Sequence, residues 1–139
     1  MEKNVFNLGY LKKRIYLALD VKDTDEVTAT GTRQQFISKA IASAVYSSLV
    51  ELSKNSAIME NVPFIDDDTS DNLELEMPPC AFEALVCLAA SKLCTENEPS
   101  LYTRLLYKYK DLCEGLFEIQ KCTRSRNGFY GAVKKRGEL

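Results

Sequence analysis

PSLYTRLLYKYKDLCEGLFEI, residues 99–119, carries the clearest helical signal in the chain. Tyr102, Leu105, Leu106, Tyr109, Leu112, Cys113, Leu116 and Phe117 recur three or four positions apart, the spacing of a helix that buries one face. Pro99 suits the first turn, where its missing N–H has no intrahelical bond to lose. The stripe predicts a helix of about 20 residues, roughly 30 Å long. Gly115 weakens it by about 1 kcal/mol relative to Ala, which so long a stripe absorbs.

The same pattern extends backward along the chain. Pro79 opens a predicted helix that ends near Cys94, with Phe82, Leu85, Val86, Ala89, Ala90 and Leu93 on its apolar face. Thr95 to Glu98 is a short turn between these two helices. Earlier still, Thr32 and Gln35 have capping-box spacing. Phe36, Ala40, Ile41, Ala44, Val45, Leu49 and Leu52 then predict a helix to about Ser53. Leu8, Leu11, Ile15, Ala18 and Leu19 predict a first helix from about residue 7 to about residue 20, with Asn7 as its cap. Between the first and second helices, Asp20 to Gly31 reads as a polar connection without period.

Four amphipathic helices joined mostly by short connections predict an all-α fold, a small helical bundle. The exception is Lys54 to Met77, where Asp66, Asp67, Asp68, Asp71, Glu74 and Glu76 place six carboxylates within 11 positions. Loops this long in compact domains tend to bind something. Alternation of Leu73, Leu75 and Met77 marks a short extended piece ending at Pro78. The acidic run lacks the glycine and terminal glutamate of an EF-hand. It reads as a solvated contact loop rather than a metal site.

With 139 residues the chain has the length of one domain. At 45% apolar and 27% charged it has the balance of an ordinary globule. The longest uncharged run, from Ala40 to Val50, is too short to span a bilayer. The opening residues lack the apolar stretch of a secretory signal. The chain contains no histidine, so Ser–His and Cys–His nucleophile arrangements are excluded, and the expected protein is no enzyme. Cys80, Cys87, Cys94, Cys113 and Cys122 never fall as CxxC. They read as small buried hydrophobes in a reducing compartment, with no metal or other cofactor expected.

Charge divides the chain into a body, residues 1–120, and an extended basic tail, residues 121–139. Lys121, Arg124, Arg126, Lys134, Lys135 and Arg136 oppose only Glu138, a net of +5. The body then holds −7 of the whole-chain −2. Such a tail reads as a frayed terminus, a docking arm or a phosphate-binding segment. Phe129 and Tyr130, set between glycines and flanked by charge, are suited to anchor an interface. The overall acidity, with a pI near 5.3, argues against a dedicated DNA-binding module.

The segment LKKRIYLALDVKDTD (residues 11–25) resembles the opening of phage head–tail connector, or adaptor, proteins. In those a first helix runs into an Asp-rich turn ahead of a longer helix. PPCAFEALVCLAASKLC (78–94) followed by LYTRLLYKYKDL (101–112) is similar to a second signature of that family, a Pro-led helix followed by one with spaced tyrosines and lysines. The resemblance implies a non-enzymatic structural protein of the virion neck, made in the host cytoplasm. It implies a homo-oligomeric ring, dodecameric in such connectors, beneath the portal protein. That ring extends a channel through which DNA passes without specific recognition, and it offers a platform to tail or other neck proteins, with no membrane involved. It also places the tail, with Arg124, Arg126, Phe129, Tyr130, Lys134, Lys135 and Arg136, against the portal or a neighbouring copy. Two other readings stand beside it: a small cytosolic helical regulator that binds nucleic acid through its tail, and another neck or tail-completion component.

Overall fold

The computed structural model describes residues 4–20, 27–28, 31–56, 58–59, 61–95 and 97–128; for 27–28, 31–33, 56 and 117–128 it describes the backbone alone. Four helices dominate: α1 (Leu8–Ala18), α2 (Arg33–Ser56), α3 (Pro79–Lys92) and α4 (Pro99–Gly128). Two small antiparallel ribbons accompany them. Strand β1 (Asn4–Asn7) pairs with β4 (Glu74–Met77), and β2 (Val27–Thr28) pairs with β3 (Gly31–Thr32). Among the described residues, no helix is long and apolar enough to cross a membrane.

Helix α3 is the centre of the bundle, and α1, α2 and α4 all pack against it. Its sequence, PCAFEALVCLAASK, carries charge only at Glu83 and Lys92. A helix apolar on every side is stable only when it is enclosed on every side. Ala81, Phe82, Ala84, Leu85, Val86, Cys87, Leu88, Ala89, Ala90 and Ser91 are all buried. The expected single apolar face is therefore too narrow a description. Small side chains at Ala81, Ala84, Ala89 and Ala90, all fully buried, let the surrounding elements approach the α3 backbone.

Each neighbour contributes a stripe to this core. Helix α1 buries Leu8, Leu11 and Ile15, and Leu19 follows. Asp20, at φ 54°, then takes the left-handed conformation that Asp tolerates better than most residues, ending the helix. Helix α2 buries Ile37, Ile41, Ala44, Val45, Leu49 and Leu52. Phe36, expected on this stripe, is 51% exposed, because Ile37 one position later points at the core instead. Helix α4 buries Leu105 and Leu116 and lays Tyr109, Leu112 and Cys113 half-buried against the same core. Tyr102, expected on that stripe, is 45% exposed, and Leu101 one position earlier packs against the core instead.

The backbone of α4 does not stop near residue 120 but stays helical to Gly128. Neither Pro nor Gly occurs from Leu116 to Asn127, and Gly128 is the first residue suited to ending a helix. The first eight residues of the expected extended tail are therefore helical. The capping hydroxyl expected at Thr32 lies outside the described side chains. The connection from Asp20 to Gly31, expected to be irregular, leads into the β2–β3 ribbon.

A ring stack fixes the α1–α3 contact. Phe82, fully buried on α3, lies 4.0 Å from Phe6 and 5.6 Å from Tyr10 between centroids, both nearly parallel to it. The Arg14 guanidinium stands 5.9 Å from the Tyr10 and Phe82 centroids and 2.7 Å from Glu83 Oε2.

Burial also leaves two polar atoms stranded. Among the described residues, the hydroxyls of Ser48 and Ser53 on α2 are buried with no hydrogen-bond partner. An unsatisfied buried hydroxyl is destabilising relative to none at all. Ser48→Ala is expected to raise stability by about 1 kcal/mol, read as a higher urea midpoint with unchanged slope. A lower midpoint would mean that the hydroxyl bonds within the helix after all.

Candidate functional site

The acidic loop is tied to the first turn of α1. Asn7 caps that helix, its Oδ1 accepting from the Tyr10 amide at 2.7 Å. The Leu8 and Gly9 amides donate to the carbonyls of Leu73 and Asp71, each at 2.9 Å. The amides that a helix N-terminus leaves open are thus closed partly by a segment more than sixty positions away. Gly9 allows the approach: a Cβ there would lie 3.1 Å from Asp71 Cβ. Lys12 adds an ion pair to Asp71 at 3.0 Å. Asn7→Ala is expected to lower stability by about 1 kcal/mol, seen in a thermal melt. A larger drop would show that the cap also holds the loop in place.

Within the loop, Asp66 organises a tight turn. Its carboxylate accepts from the Asp68 amide and the Thr69 hydroxyl, both at 3.0 Å, and its own amide donates to Thr69 Oγ1 at 2.9 Å. Ile65 anchors the turn in the core, whereas Phe64 beside it is 67% exposed and touches Tyr46 edge-on at 5.1 Å. Glu74 and Glu76 point outward from β4 while Leu75 and Met77 point inward. All six carboxylates expected to form a contact loop are exposed: Asp66, Asp67 and Asp68 on the turn, Asp71 beside α1, and Glu74 and Glu76 on the strand. Among the described residues, no three His, Cys, Asp or Glu side chains gather as a metal site.

The expected basic site is only partly placed. Arg124 and Arg126 fall in the last turns of α4, of which the backbone alone is described. Phe129, Tyr130, Lys134, Lys135 and Arg136 lie outside the described residues.

A basic surface that the sequence did not announce lies elsewhere. A groove of about 380 Å³ opens between α1, α3 and α4. Leu17 and Leu105 are among its apolar lining, and Leu17 is 67% exposed. Arg14, Arg104 and Lys108 supply its charge. Glu83 pairs with Arg14, so Arg104 and Lys108 are left with no carboxylate partner among the described residues. The only sequence signal for this surface is the spacing of Arg104 and Lys108, one helical turn apart.

Comparison of this chain with family models, with curated proteins and with solved structures finds no match.

Two thiols are held protonated, Cys87 in the groove and Cys113 farther along α4. Burial pushes the Cys87 thiol up against the opposing pull of Lys108, and burial likewise raises Cys113. Tyr109 is raised for the same first reason, desolvation, with Cys113 adding to it. Unfolding returns these groups toward ordinary values of 9.0 for cysteine and 10.0 for tyrosine. Above those values the unfolded chain loses protons that the folded chain keeps, so stability falls as pH rises. Below them both states are protonated and the contribution is complete. Urea midpoints measured with reductant present should hold steady up to about pH 9 and decline beyond it. A midpoint unchanged through the alkaline range would show that these groups are already solvated in the folded protein.

Proposed function

We propose that the protein is a non-enzymatic head–tail connector of a bacteriophage, a helical protomer that assembles with further copies into a ring on the portal protein. The reading is carried by three segments in order, residues 11–25, 78–94 and 101–112, which resemble that family; residues 11–18 fall on α1, 79–92 make up α3, and 101–112 lie in the first half of α4. The separation of charge supports it: a body bearing a displayed acidic loop, and a chain that turns basic beyond Gln120. A head-to-tail contact that closes into a ring joins two different surfaces, and a protomer with separate acidic and basic surfaces offers such a pair. At physiological salt these charges act on register and encounter, while apolar contacts supply most of the affinity. In this reading the protein belongs to the neck of the virion, DNA passes through its channel without sequence recognition, and tail or other neck proteins dock on the opposite side.

Electron microscopy of the protein mixed with assembled portal rings tests the proposal. Ring density beneath the portal is the expected result. A monomer that leaves the portal undecorated at every salt concentration would overturn it.

A further inference from the structure

The exposed Phe64 stands next to three exposed carboxylates, and the α1–α4 groove offers the complement of both. Phe64 is two-thirds exposed, and Asp66, Asp67 and Asp68 follow within four positions. The groove presents Leu17, itself two-thirds exposed, beside Arg104 and Lys108, neither of which has a carboxylate partner among the described residues. None of residues 64–68 lines the groove, so the two features are separate surfaces of one protomer.

We propose that the Phe64–Asp68 segment of one copy of this chain seats in the α1–α4 groove of the next. The Phe64 ring covers Leu17 and Leu105, and the carboxylates of Asp67 and Asp68 meet Arg104 and Lys108. The occupant is a second copy because charge and apolar character match in order along the segment: one aromatic ring, one buried anchor, then negative charge. Ile65 and the Asp66–Thr69 hydrogen bonds hold that segment in one shape, so little ordering is lost when it docks. Arg14 stays with Glu83 and frames the groove without taking part in the exchange. Each protomer has one segment and one groove, so the contact is heterologous and propagates to a ring or a filament. Burial of Phe64 and Leu17 supplies the affinity, and the charges make it sensitive to salt.

The inference rests on the ring reading only in taking another copy as the partner, and its test needs no portal. Analytical ultracentrifugation of the full chain reads it directly. Two variants each block one side: R104E/K108E spoils the groove, and F64S/D67S/D68S spoils the segment. All of these positions are exposed, and Asp66 is left in place to hold the turn. The unaltered protein should associate at low salt and dissociate as salt rises, and each variant alone should sediment as a monomer. Mixed together, they should form a one-to-one dimer and nothing larger, because one working segment meets one working groove. Variants that associate as the unaltered protein does would overturn the junction and leave the ring reading intact. An unaltered protein that stays monomeric at low salt and high concentration would overturn the junction as well. A dimer from the mixture beside a portal left bare by the unaltered protein would uphold the junction and sink the connector reading.

Discussion

Phe82→Ala is expected to lower the unfolding free energy by about 3–5 kcal/mol. Domains of this size are stable by about 5–15 kcal/mol, so the loss removes about a fifth of the total or more. Phe82 is fully buried at the α1–α3 contact, and its ring carries the stacks of both Phe6 and Tyr10. Truncation opens a cavity at the centre of the molecule, and it leaves the Arg14 guanidinium without one of the two rings beneath it. Two controls separate packing from position. Phe82→Leu keeps most of the volume and should lose clearly less, while Phe64→Ala, on the surface, should move stability by no more than about 0.5 kcal/mol. Urea unfolding of the three variants decides the matter. A Phe82→Ala loss below about 1 kcal/mol would show that the site collapses around the missing ring and that the stack is not what joins α1 to α3.

A larger effect is expected from Ala84→Glu. Ala84 is fully buried on α3, on the one helix that all the others surround. A carboxylate there would be cut off from water, and an uncompensated buried charge is destabilising by several kcal/mol. The variant should be largely unfolded at neutral pH. Burial holds the carboxyl of the folded form neutral, raising its pKa above the unfolded value of about 4.3. The penalty therefore grows as pH rises above that value and shrinks on acidification. Circular dichroism melts in mildly acidic buffer should recover part of the lost stability, whereas Ser43→Glu, on the exposed face of α2, should change little at any pH. Full stability of Ala84→Glu at neutral pH would mean that α3 is open to water on that side.

The sequence reveals the four helices because their apolar residues recur at the period of the helix itself. Leu105 and Leu116, or Ile41, Val45 and Leu49, must point the same way whatever lies opposite. It reveals the extended piece at Leu73, Leu75 and Met77 for the same reason at a period of two. What it conceals depends on partners far along the chain. Phe36 and Ile37 are neighbouring apolar residues, and only the position of α3 decides which of them turns inward. Strand β1 is four residues with asparagine at each end, and it exists because β4 lies beside it. The basic groove is legible only in the spacing of Arg104 and Lys108, since Arg14 comes to line the same groove only after three helices have packed. The enclosure of α3 did have a signal, in a 14-residue helix with only two charged side chains.

The pairing of Asn4–Asn7 with Glu74–Met77 has a consequence for how the chain holds together. Everything from α1 to the acidic turn lies inside a circuit closed by that ribbon, and α3 grips α1 and α2 from beyond it. Severing a peptide bond at Asp67 would yield two pieces, one ending in the turn and one beginning there. Neither could leave without surrendering the ribbon and most of the apolar interior. The nicked molecule would travel as one particle, because the contacts that join the two pieces lie away from the cut.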